Sequence, residues 1–289
     1  MVSILLPLYI YPQAGSWAPL MDAASRFPSV DFTVVVNPAS GPGTETLPDE
    51  NYIDALRSLC DYDNVNMLGY VRWNYGDRAL EEIDADIALY GGWEHEFANL
   101  DDSADETVSL SGIFIDEMPI ELEYLEAMSH ITESVRDTWA SAMDSEATVM
   151  YNPGVVIDPA FYANADYIVA FEDAESERAA FLSEGLSAVE LEERGKMAVI
   201  VHTWNGSWNN LHDLVSEVVD SGVEALYVTS QIGGMYNEWP GHWSSLVGLV
   251  SDMEVDSEVD SEGDSVVDPE VDLVANPAST GRCVVAAQE

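Results

Sequence analysis

The stretch Gly112-Ile113-Phe114-Ile115-Asp116-Glu117 ends an apolar run of strand character in two adjacent carboxylates, and Met118-Pro119 then breaks the strand. Apolar residues on both faces suit a strand of a parallel sheet that is covered on both sides. Carboxylates at the carboxyl end of such a strand sit where α/β enzymes keep their chemistry. Glu172 repeats the arrangement after Tyr167-Ile168-Val169-Ala170-Phe171. Two carboxyl groups flanking a glycosidic bond hydrolyse it by acting as general acid and as nucleophile or base. Asp116, Glu117 and Glu172 are therefore the candidate catalytic residues. Glu117 and Glu172 are favoured as acid and nucleophile or base, in either order, with Asp116 assisting. A substrate acetamido group acting as nucleophile is the alternative to the carboxylate pair.

Acidity alone says little here, because Asp and Glu number 54 against 9 Lys and Arg, for a formal net charge of -45. Most of these carboxylates are solvated surface groups. The three candidates differ in following buried strands, and the scarcity of cations weakens an ion-pairing role for them. Side chains alternate along a strand, so Asp116 and Glu117 start toward opposite faces. If bulky Phe114 and Phe171 face a helical layer, Glu117 and Glu172 share the inward direction.

These residues need elements to position them. Eight short apolar runs recur, at residues 3–10, 31–37, 65–71, 112–116, 147–152, 167–171, 197–202 and 225–229. Helical spacing separates them at 17–27, 51–60, 77–90, 121–143, 175–194 and 207–221, with a last helix at 239–249. The connection at 158–165 has room for only about two turns of helix. Eight strand–helix units in about 250 residues predict an α/β fold, a single-domain (β/α)₈ TIM barrel over residues 1–251. An open doubly wound sheet is the other arrangement with this periodicity. No Gly-rich fingerprint follows the first strand, which disfavours a dinucleotide-binding version. From residue 252 the composition turns to Val, Asp, Ser and Glu, and 252–289 reads as a disordered acidic tail.

In a barrel, the residues at and just past the strand ends define the active face. Tyr9, Asn37, Tyr70, Arg72, Asn152, His202 and Trp204, together with Trp93 where the helix after the third strand closes, are the candidates for substrate contact. Aromatic faces stack on the apolar faces of sugar rings, while amides and carboxylates bind hydroxyls, so the set suits a carbohydrate better than a phosphate. Each has a plainer reading. Asn37 can shape the Gly/Pro-rich turn 37–43, tryptophans more often pack in cores, and His202 can satisfy the core or complete a divalent-metal site. Lys196, the only lysine, precedes its strand and lies at the opposite face, which removes Schiff-base chemistry. The scheme requires no cofactor and assigns no metal.

Composition narrows the partners. So anionic a surface repels nucleic acid and anionic lipid, and no apolar run spans a membrane. Residues 1–11 lack a basic n-region and a cleavage site, so they read as a strand and not a secretion signal. Cys60 and Cys283 lie in unlike contexts, which argues against a disulfide framework or a zinc site. The surface reads as adapted to concentrated salt, where a Debye length of about 3 Å at 1 M screens self-repulsion. Removal of salt near neutral pH is therefore expected to unfold the protein. A melting temperature indifferent to salt contradicts this.

Several segments together resemble the spherulin-4 family: Pro7-Leu8-Tyr9-Ile10-Tyr11-Pro12, Asn37-Pro38 with Gly41-Pro42-Gly43, Leu68-Gly69-Tyr70-Val71, the Gly112–Glu117 stretch, Asn152-Pro153-Gly154 and Phe171-Glu172. The resemblance runs from Ile4 to about Val228 and leaves out the tail. It implies a (β/α)₈ barrel and an endo-acting glycoside hydrolase, since characterised fungal members cleave α-1,4-linked N-acetylgalactosamine stretches of a secreted exopolysaccharide. It also implies that Asp116 and Glu117 are the family's adjacent acidic pair and Glu172 its third acidic residue. The partner implied is a polysaccharide or oligosaccharide substrate, met outside the cell or at its surface. Trp73 departs from the smaller polar residue expected after Gly69-Tyr70-Val71. A non-catalytic carbohydrate-binding or coat protein on the same barrel is the rival reading; retention of all three acids disfavours it.

Overall fold

The computed structural model describes residues 2–100, 107–143 and 145–262. The eight expected strands form: β1 Ser3–Leu8, β2 Phe32–Val36, β3 Val65–Arg72, β4 Gly112–Asp116, β5 Thr148–Asn152, β6 Tyr167–Ala174, β7 Met197–His202 and β8 Ala225–Val228. All pair in parallel with their sequence neighbours, and β8 returns to β1, closing the barrel. The (β/α)₈ prediction holds and the open sheet is excluded. Val34, Leu68, Ile113, Val149 and Val199 have no solvent exposure, as strands covered on both faces require. Each such side chain contributes about 1.5–3 kcal/mol by leaving water.

Helices α1 Ala18–Arg26, α2 Glu50–Leu59, α3 Leu80–Leu100, α4 Leu125–Met143, α5 Glu175–Ala180, α6 Leu191–Arg194, α7 Trp208–Asp220 and α8 Trp243–Glu262 form the outer layer. The short connection after β5 is a 3₁₀ helix, Pro159–Asn164, as its length dictated. α3 runs well past residue 90, where the sequence pattern ended it, through Gly91-Gly92. A Cβ on Gly91 would lie 2.3 Å from Thr138 Cγ2, so glycine there serves the close approach of α3 to α4. Tertiary packing thus keeps helical a pair that propensity alone disfavours. α8 likewise continues beyond residue 252, where the composition changes, to Glu262. The rest of the expected tail, 263–289, lies outside the described residues. Cys60 is disulfide-bonded, which corrects the expectation drawn from the unlike contexts of the two cysteines.

β4 enters the sheet at Gly112, whose φ is 155°. A Cβ there would sit 1.9 Å from the Thr148 carbonyl oxygen, so only glycine lets β4 pair with β5 in this register. That register sets Asp116 beside Asn152 and Arg72 at the carboxyl ends of their strands. At the other end, Lys196 Nζ donates to the carbonyls of Tyr162 and Ala165, as its position before β7 implied.

Candidate active site

Asp116 ends β4, and alternation sends it the same way as Phe114, two residues earlier. Both line a recess of about 40 Å³ on the barrel axis with Pro7, Tyr9, Asn152, Glu172, Ile200, Gly234 and Tyr236. The expectation that Phe114 faces the helices is therefore corrected, and Asp116, not Glu117, takes the inward direction. At Glu117 the chain leaves the strand with φ of 53°. Its carboxylate accepts from Arg72 Nε at 2.6 Å on the rim, and its carbonyl accepts from Tyr75 N at 2.7 Å.

Glu172 reaches the recess through a local irregularity. Val169 pairs with Ala198, but Phe171 pairs with Val199, so Ala170 is an extra residue in β6. Ala198 faces the interior with Ile200, two residues on, so Val169 faces inward as well. Unbroken alternation from Val169 would turn Glu172 out toward the helices. The bulge restores the inward direction one residue later, a one-residue slip reversing every side chain. Phe171 accordingly packs outward on Phe181, ring centroids 4.8 Å apart, as expected.

Asn152 joins the two acids. Its Nδ2 donates to Asp116 Oδ1 at 2.7 Å and to Glu172 Oε2 at 2.6 Å. A flipped amide would set its oxygen against both carboxylates, so the orientation is determined by its neighbours. Asn152 Oδ1 is buried without a protein partner. An unpaired buried acceptor costs roughly 1–3 kcal/mol. The remaining carboxylate oxygens take phenols: Tyr70 donates to Asp116 Oδ2 at 2.7 Å and Tyr236 to Glu172 Oε1 at 2.5 Å. Tyr9 stands edge-on to both phenol rings, 5.6 and 5.8 Å between centroids.

Burial pushes the Asp116 carboxyl up from 3.8 to about 6; the Glu172 charge adds to this, and donation from Tyr70, the Glu117 backbone and Asn152 opposes it. Asp116 therefore takes up a proton under mildly acidic conditions. The Tyr70 and Tyr236 phenols are pushed far up, by burial first and then by their carboxylate partners, so they remain donors.

The other predicted contacts separate. Tyr9, Tyr70 and Asn152 are at the recess and Arg72 is on its rim. Trp93 is not: α3 carries it into the core without exposure, its ring 4.8 Å from that of Tyr90. Asn37 Oδ1 accepts from Gly41 N and shapes its own turn. His202 bonds Thr203 Oγ1 at 2.9 Å, and Trp204 packs on His242, both outside the lining of the carboxylate recess. Among the described residues no group of three or more His, Cys, Asp and Glu is placed to hold a metal ion.

Three contributors escaped sequence reasoning. Gly234 and Tyr236 arrive on the long loop after β8, beyond the strand-end positions that alternation ranks. Tyr75 is 66% exposed with φ of 54°, and its phenol is pushed up by burial and then by Glu117, Asp116 and Glu172. It presents an open ring beside the carboxylates. Its only local signal is the Asn74-Tyr75-Gly76 turn after β3.

A closed parallel barrel with carboxylates converging at the carboxyl ends of its strands is built as (β/α)₈ enzymes are. Residues 3–250 match the model of the Spherulation-specific family 4, and the chain belongs to that family. Spherulin-4 of Physarum polycephalum is 30% identical over 175 residues, 61% of this chain and 46% of that protein, so the match spans less than half of that relative. The crystal structure of Aspergillus clavatus Sph3 in complex with GalNAc superposes with a TM-score of 0.77 at 31% identity, covering 86% of this chain and 97% of that one. The resemblance read from the strand-end motifs is thereby borne out. No helix among the described residues is long and apolar enough to cross a membrane.

Proposed function

We propose that this protein is an endo-acting glycoside hydrolase cleaving an N-acetylgalactosamine-containing polysaccharide, with Asp116 and Glu172 as its acid and nucleophile or base. The observation that carries the reading is the bridge from Asn152 Nδ2 to both carboxylates. Two oxygens accepting from one nitrogen at these lengths lie within about 5 Å of each other, which fits the closer carboxyl spacing of retaining enzymes better than the wider spacing of inverting ones. One carboxyl group protonates the departing oxygen while the other attacks the anomeric carbon; water then hydrolyses the glycosyl-enzyme as the first group takes its proton. The bound GalNAc of the Aspergillus clavatus relative supports the sugar class. On an α-linked sugar the 2-acetamido group lies on the face of the leaving oxygen and cannot attack from behind. That geometry calls for a protein nucleophile.

A recess of about 40 Å³ is far smaller than the roughly 300 Å³ and more of a site that encloses a whole ligand. A substituent enters it, and the ring lies across its mouth beside Tyr75. Glu117 and Arg72 act at the rim, positioning the strand end and the sugar, in place of the acid role favoured for Glu117 by alternation.

The test is release of reducing ends from N-acetylgalactosamine polymers at high salt, with anomeric configuration followed by NMR. Internal cleavage with net retention is expected. Glu172→Gln should abolish turnover while preserving fold and binding. Binding without turnover by the wild-type protein would instead establish the non-catalytic rival.

A further inference from the structure

A second cavity at the top face is much larger than the carboxylate recess. It measures about 660 Å³ and opens between the loops that follow β7 and β8. Its wall includes Trp204, Asn205, Trp208, Ser230, His242 and Ser245 and contains no Asp, Glu, Lys or Arg. In a chain with 54 acidic residues, an uncharged concavity at the rim is distinctive. An anion finds no cationic partner in it and a cation no carboxylate. A neutral ligand with apolar faces and hydroxyl or amide edges suits it.

The cavity is built rather than incidental. Trp204 is 7% exposed, with its ring 4.4 Å from the imidazole of His242. His242 Nε2 donates to the Val228 carbonyl at 3.1 Å, and burial lowers its pKa, so the ring is neutral with Nδ1 as an acceptor. Thr203, a β-branched residue, is held at φ of 57° just before Trp204, a conformation that costs on the order of 1–3 kcal/mol. Two backbone bonds hold it there: Thr203 N donates to Gln231 O at 2.7 Å and Trp204 N to Thr229 O at 3.0 Å. They also pin the two loops together, so the walls exist before any ligand arrives. Trp208, by contrast, is 53% exposed at the opening, an aromatic face with nothing stacked on it among the described residues.

The loop after β8 lines both hollows. Gly234 and Tyr236 face the carboxylate recess, whereas Ser230, Gly241 and His242 face this cavity. A polymer lying across the recess therefore has this cavity as its neighbour along the rim.

We infer that the cavity between the β7 and β8 loops is a second carbohydrate subsite. It takes a neutral, N-acetylated hexosamine unit of the same polymer, away from the bond that is cut, with Trp208 as its stacking face. The ligand class rests on the hydrolase reading above; the site itself rests on the cavity.

The measurement uses Glu172→Gln protein at high salt, titrated with N-acetylgalactosamine oligomers. Indole NMR signals of Trp204 and Trp208 are expected to shift on binding. In that background Trp208→Ala should weaken oligomer affinity about tenfold, the order of one lost stacking contact. Ser245→Phe fills the cavity from its other wall and should weaken binding similarly, which guards against a folding defect in either variant. Unshifted indole signals, or unchanged affinity in both variants, overturn the proposal. Oligomer binding at Trp208 without reducing-end release by the wild-type protein would overturn the hydrolase reading alone.

Discussion

Asp116→Asn is expected to lose hydrolysis by about 10³-fold or more and yet to melt at a higher temperature than the wild-type protein at pH 7. Burial raises the Asp116 carboxyl from 3.8 in the reference state to about 6 in the fold. Between those values the folded chain holds a proton that the unfolded chain has released. The unfolded state thus binds fewer protons, and stability falls as pH rises through this window. A shift of this size corresponds to about 2–3 kcal/mol lost by neutral pH. Asparagine carries no charge and escapes that cost. Its amide oxygen can accept from Asn152 while its nitrogen donates to the Tyr70 hydroxyl, so the local bonds can be remade. The gain should be about 5 °C at pH 7 and should vanish near pH 4, where both forms are neutral, at constant salt. Equal melting temperatures at pH 7 would show that Asp116 is not held ionised against its surroundings. Activity and stability trade against each other at this one side chain.

Asn152→Ala is expected to lower kcat/KM by roughly 10²-fold, the usual loss for one preorganised donor. It should also move one limb of the pH profile. Donation from Asn152 holds the Asp116 carboxyl down, so removing it lets the carboxyl rise above about 6. The limb governed by Asp116 should shift alkaline. Movement of the acid limb means that Asp116 works ionised, as nucleophile or base. Movement of the alkaline limb means that it works protonated, as acid. A profile that drops in height without moving removes Asp116 from control of either limb.

The strands and the face they serve were legible in the sequence because both depend on local pattern. A strand buried on both sides must be apolar throughout, and in a parallel barrel all strand ends open on one face. Tyr9, Tyr70, Asp116, Asn152 and Glu172 could therefore be grouped before any coordinates, and the family motifs fall on the same positions. Trp93 was misplaced for an equally local reason. Gly91-Gly92 looks like a helix end until α4 packs against it, and the longer helix then carries Trp93 into the core.

What the chain alone determined is the barrel, its acidic surface and a set of carboxylates at the mouth. Which carboxylates meet was decided by tertiary structure. Adjacent residues on a strand point to opposite faces, so the choice between Asp116 and Glu117 turns on where β4 stops. The direction of Glu172 turns on the extra residue, Ala170, in β6. Register is a property of paired strands, not of either one. Tyr236 and the neutral cavity come from a loop whose course is set by distant contacts, and no periodicity in its own sequence predicts them.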